Sequence, residues 1–325
     1  MASLKVENLS VGYKSKKGLV NAVHNISFSI KQGRSLGFVG ESGCGKTTIG
    51  MTLMGLLPEN GSILQGDIFF NGNNLAEFND KKWRSFRGKE ISMIFQAAMN
   101  AMNPVIRVDE QIAEILETHH PQMSQTDVYD QVKKMFSLVE IPEDRLRDYP
   151  HQYSGGMKQR AIIAMALACT PKLIIADEPT TALDVIVQDQ ILKEIKQIQK
   201  ETNISLIFIS HDIAVVADVC EDICVMYGGQ IVEKGTREEV FKSPKHPYTK
   251  TLLDSFLSLD SKGDIKIPEI REAPDLITIT ERCNFAGSCN CKCNKCNNQT
   301  PGWVNFSSTH KALCFEDALN KDKND

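Results

Sequence analysis

The sequence of 325 residues has no apolar run approaching the roughly 18 residues of a membrane-spanning helix. Its opening stretch, Met1 to Val11, mixes charged and apolar side chains and lacks the core of a secretion signal. These two absences set the expectation of a cytosolic chain, docked if anything on a partner. Charge of one sign is missing as well: a net charge of −4 gives no electrostatic footprint for nucleic acid. No internal repeat is visible, which argues against a solenoid. What remains is a chain with 42% apolar residues, enough for a real core, and a length that suits one large domain plus a smaller one.

Cysteine is scarce in most of the chain and crowded at its end. Cys44, Cys169, Cys220 and Cys224 are scattered, whereas Cys283, Cys289, Cys291, Cys293, Cys296 and Cys314 fall close together. In a reducing compartment such a cluster points to metal rather than to disulfides.

The most specific signal is Gly40-Glu41-Ser42-Gly43-Cys44-Gly45-Lys46-Thr47-Thr48, a complete G-x-x-x-x-G-K-[ST] phosphate-binding loop. It follows an apolar, strand-like run, Ser35 to Val39, and precedes a helix-like run, Ile49 to Leu57. Glycines let backbone N–H groups close around phosphate oxygens, and the helix N-terminus adds partial positive charge. Lys46 can reach the β/γ-phosphates and the Thr47 hydroxyl can ligate Mg²⁺. The chain is expected to bind a nucleoside triphosphate.

The pattern around this loop is α/β. Lys5 to Leu9, Val23 to Ile30 and Asp67 to Phe70 read as strands, Lys81 to Arg87 as a charged helix, and Glu90 to Phe95 as another strand. Val108 to Glu140 has helical spacing without strand-like runs, as in a helical insertion. Leu173 to Ala176 and Ser205 to Ile209 read as buried strands flanking a helix, Val185 to Glu201, an order that implies parallel pairing. Ile223 to Met226 and Gln230 to Glu233 read as a hairpin about Gly228-Gly229. From about Leu259 the pattern dissolves into charge, proline and cysteine.

Two further elements carry chemistry. Leu173 to Ala176 ends in Asp177 and Glu178, so that one carboxylate can hold Mg²⁺ while the next polarises an attacking water. Tyr153-Ser154-Gly155-Gly156 leads into a helical run, Met157 to Ala168, either a plain N-cap or a second phosphate-facing helix N-terminus. Two different phosphate-facing elements in one chain suit a dimer in which each serves a different site.

P-loop, Ser-Gly-Gly and Asp-Glu, in this order, resemble the ATP-binding subunit of an ABC transporter. The resemblance implies an ABC-type P-loop NTPase core with an N-terminal antiparallel β part and an inserted helical subdomain, plus a small Cys-rich C-terminal region. The nucleotide-binding domain would span 1–258, with its helical subdomain at about 97–160, and the C-terminal region 259–325. By the same resemblance Gln96 is the Q-loop glutamine, His211 the switch histidine, Ala182-Leu183-Asp184 the D-loop, and Tyr13 the aromatic that stacks on adenine. Gly40, Ser42, Gly43, Cys44, Gly45, Lys46, Thr47 and Thr48 bind one ATP. Ser154, Gly155 and Gly156 cap the ATP of a sister subunit. Thr47, Gln96 and Asp177 serve Mg²⁺. Glu178 is the base, helped by Lys46, Gln96 and His211.

Finer features resemble the oligopeptide/dipeptide/nickel importer branch: Asn103-Pro104 after the Q-loop, Met157 after Ser-Gly-Gly, and His246-Pro247-Tyr248-Thr249 with Leu252-Leu253. Ala97 departs from it, standing where an acidic residue is common. Cys283, Cys289, Cys296 and Cys314 match the branch's cysteine-rich tail, with Cys291 and Cys293 as alternates. Spacing alone leaves a Cys₄ zinc site and an iron–sulfur cluster both open; the resemblance favours [4Fe–4S]. It further implies a sister ATPase, two membrane permease subunits, an extracytoplasmic binding protein, no nucleic-acid partner, and a place on the cytoplasmic face of the membrane. Peptide is the leading cargo, with nickel or short oligosaccharides as alternatives. A soluble ABC mechanoenzyme is the reading of a different class.

Overall fold

The computed structural model describes residues 2–96, 101–181, 183–260, 276–277 and 282–321. The chain begins with β1 (Ala2–Ser15), β2 (Gly18–Lys31), β3 (Ser35–Val39), α1 (Lys46–Leu53), β4 (Gly61–Phe70) and the short β5 (Asn73–Asn74). There follow α2 (Asp80–Phe86), β6 (Ile91–Ile94), α3 (Val108–His119), α4 (Gln125–Leu138), α5 (Gly155–Leu167), β7 (Leu173–Asp177), α6 (Val185–Thr202) and β8 (Ser205–Ser210). The rest is α7 (Ile213–Val219), β9 (Asp222–Tyr227), β10 (Gln230–Thr236), α8 (Arg237–Lys242), α9 (Pro247–Asp260), β11 (Trp303–Asn305), β12 (Lys311–Leu313) and α10 (Glu316–Lys321). Contacts divide the chain into two units, Lys31–Arg34 with Glu77–Phe208, and Ala2–Ile30 with Ser35–Ala76 and Ile209–Asp325.

In the first unit β6 pairs parallel with β7, Ile91 opposite Leu173 through Ile94 opposite Ala176. Both strands are buried along their length, as continuous apolar runs in parallel strands must be. α6 buries Ile191, Leu192, Ile195 and Ile198, a helical stripe opposed by charged residues. The expected helical stretch from Val108 resolves into α3 and α4, interrupted at Pro121. α4 opens on a reciprocal cap between Ser124 and Asp127 and buries Val128, Val132, Met135 and Phe136.

The second unit holds two sheets. One runs β2-β1-β4-β5, with β1 antiparallel to β4 and a bulge where Asn8 turns to φ 50°. The other contains β3, parallel to β9, and then β10, β12 and β11, each antiparallel to its neighbour. β3 is buried throughout and delivers the chain into the glycine loop.

Three expectations change. The helix after the loop starts at Lys46 and ends at Leu53, not Ile49 to Leu57. The loop's own final residues already turn helical, and Gly55, at φ 60°, stops the helix while the Leu56 N–H closes onto the Met51 carbonyl. The helix expected from Met157 begins two residues earlier, at Gly155. The described part of the tail also holds a strand pairing that its composition did not suggest: β12 pairs with β10 through Glu233 opposite Ala312.

Candidate active site

The glycine loop is shaped by backbone that only glycine tolerates. Gly40 has φ 155°, and a Cβ there would lie 2.1 Å from the Met226 carbonyl oxygen. Gly45 has φ 103°, and a Cβ would meet the Ala22 carbonyl oxygen at 2.3 Å. Gly45 is also the N-cap of α1, and no side chain caps that helix. Its first turn also lacks an acidic residue, so its N–H groups and partial positive charge are available to an anion.

Lys46 is buried, and its ammonium donates to the carbonyls of Gly40 (2.7 Å) and Glu41 (2.8 Å). Cys44 is buried beside it, and burial pushes its thiol pKa up against the pull of Lys46. Burial likewise raises Glu41, again opposed by Lys46. Ser42, Gly43 and Thr47 are exposed at the loop's open side.

Tyr13 is tied to the same loop: its hydroxyl donates to Thr48 Oγ1 at 3.2 Å. Gly61 makes room for the ring, since a Cβ there would stand 2.8 Å from it. Nothing in the local sequence of Gly61 gave that role away, because the pairing that places it opposite Tyr13 is long-range. His211 is exposed directly after β8, and the next residue, Asp212, caps α7 by accepting from the Ala214 and Val215 N–H groups.

In the other unit β7 carries Asp177, buried at its end, and Glu178 just beyond. Glu178 holds φ 47°, a left-handed backbone that costs a glutamate on the order of 1 kcal/mol or more and concentrates at functional sites. The Gln96 amide donates to Glu178 Oε2 at 3.0 Å, and the Thr181 hydroxyl donates to the same oxygen at 3.0 Å. The structure thus joins Gln96 and Glu178 across more than eighty residues of chain. It adds Thr181, whose signal was its position in the turn three residues after Glu178. A carboxylate fixed this way can accept a proton from water.

Ser154 caps α5 by accepting from the Met157 N–H (3.3 Å), and Gly156 leaves room for Val187, which a Cβ would approach to 2.9 Å. Asp184 caps α6, accepting from the Ile186 and Val187 N–H groups. Ala97, Ala98, Met99 and Asn100 of the importer stretch, and Ala182 of the D-loop, lie outside the described residues.

The tail thiols form a less finished group. Cys283, Cys296 and Cys314 are buried, and Cys289 is half-buried. Burial pushes Cys289 and Cys314 up to about 12, and Cys314 also feels Cys283, Cys289 and Cys296. The Cys293 and Cys296 sulfurs are 3.5 Å apart. Among the described residues, however, no three His, Cys, Asp or Glu side chains converge as a metal cage. The donor chemistry fits a thiophilic metal; the arrangement of the sulfurs does not yet fit one.

A phosphate loop, a Ser-Gly-Gly helix cap and a strand ending in paired carboxylates define an ABC-type ATPase. The ABC transporter family profile matches residues 23–181, and the profile described as oligopeptide/dipeptide transporter, C-terminal region, matches 232–296. The dipeptide transport ATP-binding protein DppD of Bacillus subtilis (strain 168) is 44% identical over 315 residues, covering 96% of this chain and 94% of the relative. The oligopeptide transport ATP-binding protein OppD of Escherichia coli (strain K12) is 41% identical, covering 97% and 93%. Among solved structures, the dimeric post-hydrolysis state of the ATP-binding cassette MJ0796 bound to ADP and Pi matches with a TM-score of 0.65. Its identity is 26%, over 72% of this chain and 98% of that one. The chain belongs to the ABC transporter ATP-binding subunits of the oligopeptide/dipeptide type. Among its described residues no helix is long and apolar enough to cross a membrane.

Proposed function

We propose that this chain hydrolyses ATP to power the import of di- and oligopeptides through partner permease subunits. The observation that carries the reading is 44% identity over 96% of the chain to a dipeptide transport ATP-binding protein. Peptide is favoured over nickel and oligosaccharide because the relatives are named for dipeptides and oligopeptides. A soluble mechanoenzyme is disfavoured by the match of the C-terminal region.

Chemistry is transfer of a phosphoryl group to water, governed by positioning and charge. The amides of Gly40 to Thr48 and the α1 N-terminus bind the phosphates of ATP. Lys46 exchanges its loop carbonyls for the β/γ-phosphates. Tyr13 offers its ring to adenine. Oxygen donors of Thr47, Gln96 and Asp177 would hold Mg²⁺, which neutralises phosphate charge. Glu178, oriented by Gln96 and Thr181, takes the proton of the attacking water, and His211 steadies the γ-phosphate. Ser154, Gly155 and Gly156 cap the ATP of a sister ATPase, with Asp184 beside them, so the working unit is a heterodimer. That dimer sits on the cytoplasmic face of the membrane with two permeases, served by an extracytoplasmic binding protein. Residues 1–258 make up the nucleotide-binding domain, with about 97–160 as its helical subdomain, and 259–325 the C-terminal region.

In the tail, Cys283, Cys289, Cys296 and Cys314, with Cys291 and Cys293 as alternates, are read as ligands of a [4Fe–4S] cluster in preference to zinc. The support is the donor set itself, four thiols that can serve as thiolate ligands once deprotonated. Anaerobically purified full-length chain should carry about four irons. One zinc would replace the cluster reading, and no metal would remove both.

The test of function is assembly. The isolated chain should hydrolyse ATP slowly and accelerate when combined with a sister ATPase and two permeases. Full activity as an isolated monomer would contradict the reading.

A further inference from the structure

Tyr248 is the largest side chain buried to within 2% of full occlusion, and its hydroxyl lies on the P-loop. The Glu41 N–H donates to Tyr248 Oη at 3.1 Å. The carbonyl of that same Glu41, with that of Gly40, receives the Lys46 ammonium. The phenol oxygen therefore holds the peptide unit to which the phosphate-seeking lysine is tethered. A glycine-rich loop has many conformations to lose, so an external anchor decides how often it is binding-competent.

The other side of Tyr248 faces the cysteine-rich tail. Its ring packs edge-on against Phe285, centroids 5.5 Å apart, and lies tilted against Tyr227 at 4.7 Å. Phe285 stands two residues after Cys283 and is itself buried. Between them Asn284 donates to the Gly228 carbonyl (3.0 Å) and to Gln230 Oε1 (3.0 Å). The neighbouring Gly229 donates its N–H to the Cys44 carbonyl of the P-loop at 3.2 Å. Two threads thus run from Cys283-Asn284-Phe285 to the loop, one through the Tyr248 phenol and one through the Gly228-Gly229 turn.

We propose that Tyr248 is a positioning residue for the P-loop, and that through Phe285 it makes nucleotide affinity depend on the folded cysteine-rich segment. The proposal rests on the reading of Gly40 to Thr48 as the ATP site. By linkage, whatever orders the tail tightens ATP binding, and ATP binding orders the tail by the same factor.

The test is titration of full-length protein with a fluorescent ATP analogue, together with ATP hydrolysis by the same variants in the assembled importer. Tyr248→Phe keeps the ring and deletes the acceptor. If the competent loop population falls to a tenth or a third, the dissociation constant rises about threefold to tenfold. The loss should appear in KM, with kcat retained at saturating ATP. Phe285→Leu should weaken binding less, and in the Tyr248→Phe background it should add little, since both act through one contact. Because Phe285→Leu leaves the hydroxyl in place, it keeps the test valid should Tyr248→Phe fold poorly. Wild-type affinity in folded Tyr248→Phe overturns the positioning role. Fully additive effects of the two substitutions overturn the link to the tail. Lys46→Ala serves as the control for the underlying reading: if it still binds the analogue with wild-type affinity, the ATP-site assignment itself fails.

Discussion

The P-loop and the cysteine-rich tail are held in opposite ways. The loop hangs from β3, buried on every residue, and its form is set by glycine backbone geometry and apolar packing. The tail, from Arg282 onward, buries few apolar side chains beyond Phe285, and its later part is fastened by polar contacts. Its His310 Nε2 lies 2.7 Å from Glu233, a carboxylate with no exposed surface that also accepts the Lys245 and His246 N–H groups. Its Ser307 and Thr309 hydroxyls donate to Glu239. The difference teaches that the loop's form rests on packing and backbone geometry, which do not titrate, whereas contacts of the tail such as those to the Glu239 carboxylate do.

The largest expected effect strikes the core and spares the tail. Glu178→Gln should retain ATP binding and lose about 10²–10⁴-fold in turnover, as measured by phosphate release from the assembled importer. Turnover near wild type would take Glu178 out of its role.

The reverse experiment strikes the anchor of the tail. Glu233→Ala leaves buried donors without an acceptor, each costing about 1–3 kcal/mol. Thermal stability should fall, and limited proteolysis should release the segment around β12 before it cuts the core. Simultaneous digestion of both parts would show that core and tail unfold as one unit.

Acid should act between these extremes. Burial lowers the pKa of His246 to about 4, partly opposed by Glu233, and its Nδ1 accepts the Tyr248 N–H at 3.1 Å. Since the folded pKa lies below the unfolded one, the unfolded chain binds more protons in this window. Stability is therefore complete above about pH 6.5 and declines toward pH 4, by up to roughly 3 kcal/mol. His246→Gln should flatten that part of a melting-temperature profile; an unchanged slope would exclude His246 as its source.

The smallest effect belongs to Glu239. Burial works against its ionisation, but hydrogen bonds from Ser307, Thr236 and Thr309 pull its pKa down to about 2. Its contribution is present above about pH 4.5 and is lost as pH falls toward 2. Solvent screening at this partly exposed site limits it to about 1 kcal/mol or less. Thr309→Ala should shallow the acid limb of the unfolding curve only slightly; a change as large as that of Glu233→Ala would rank the two anchors wrongly.

The contrast also explains what could be read before the fold was known. β3, the glycine loop, β7 with Asp177-Glu178, and α6 obey local rules of periodicity, capping and apolar runs, so their positions were legible residue by residue. The meeting of Gln96 with Glu178 was legible only through the resemblance, because parallel pairing of β6 with β7 creates it. Thr181 beside Glu178 is a local turn contact, whereas Gly61 beneath Tyr13 and Tyr248 on Glu41 were not legible at all, being products of tertiary approach. The tail misled for the same reason: β12 is a strand because β10 offers it an edge and Glu233 holds His310, not because Lys311 to Leu313 prefer extended backbone.

The most direct test of the account is ATP-dependent peptide uptake into vesicles that contain this chain, a sister ATPase, two permeases and the binding protein. Peptide should accumulate only with ATP on the side of this chain, and Lys46→Ala should abolish both accumulation and peptide-stimulated hydrolysis. Hydrolysis that proceeds at one rate with or without peptide, and without accumulation, would contradict it.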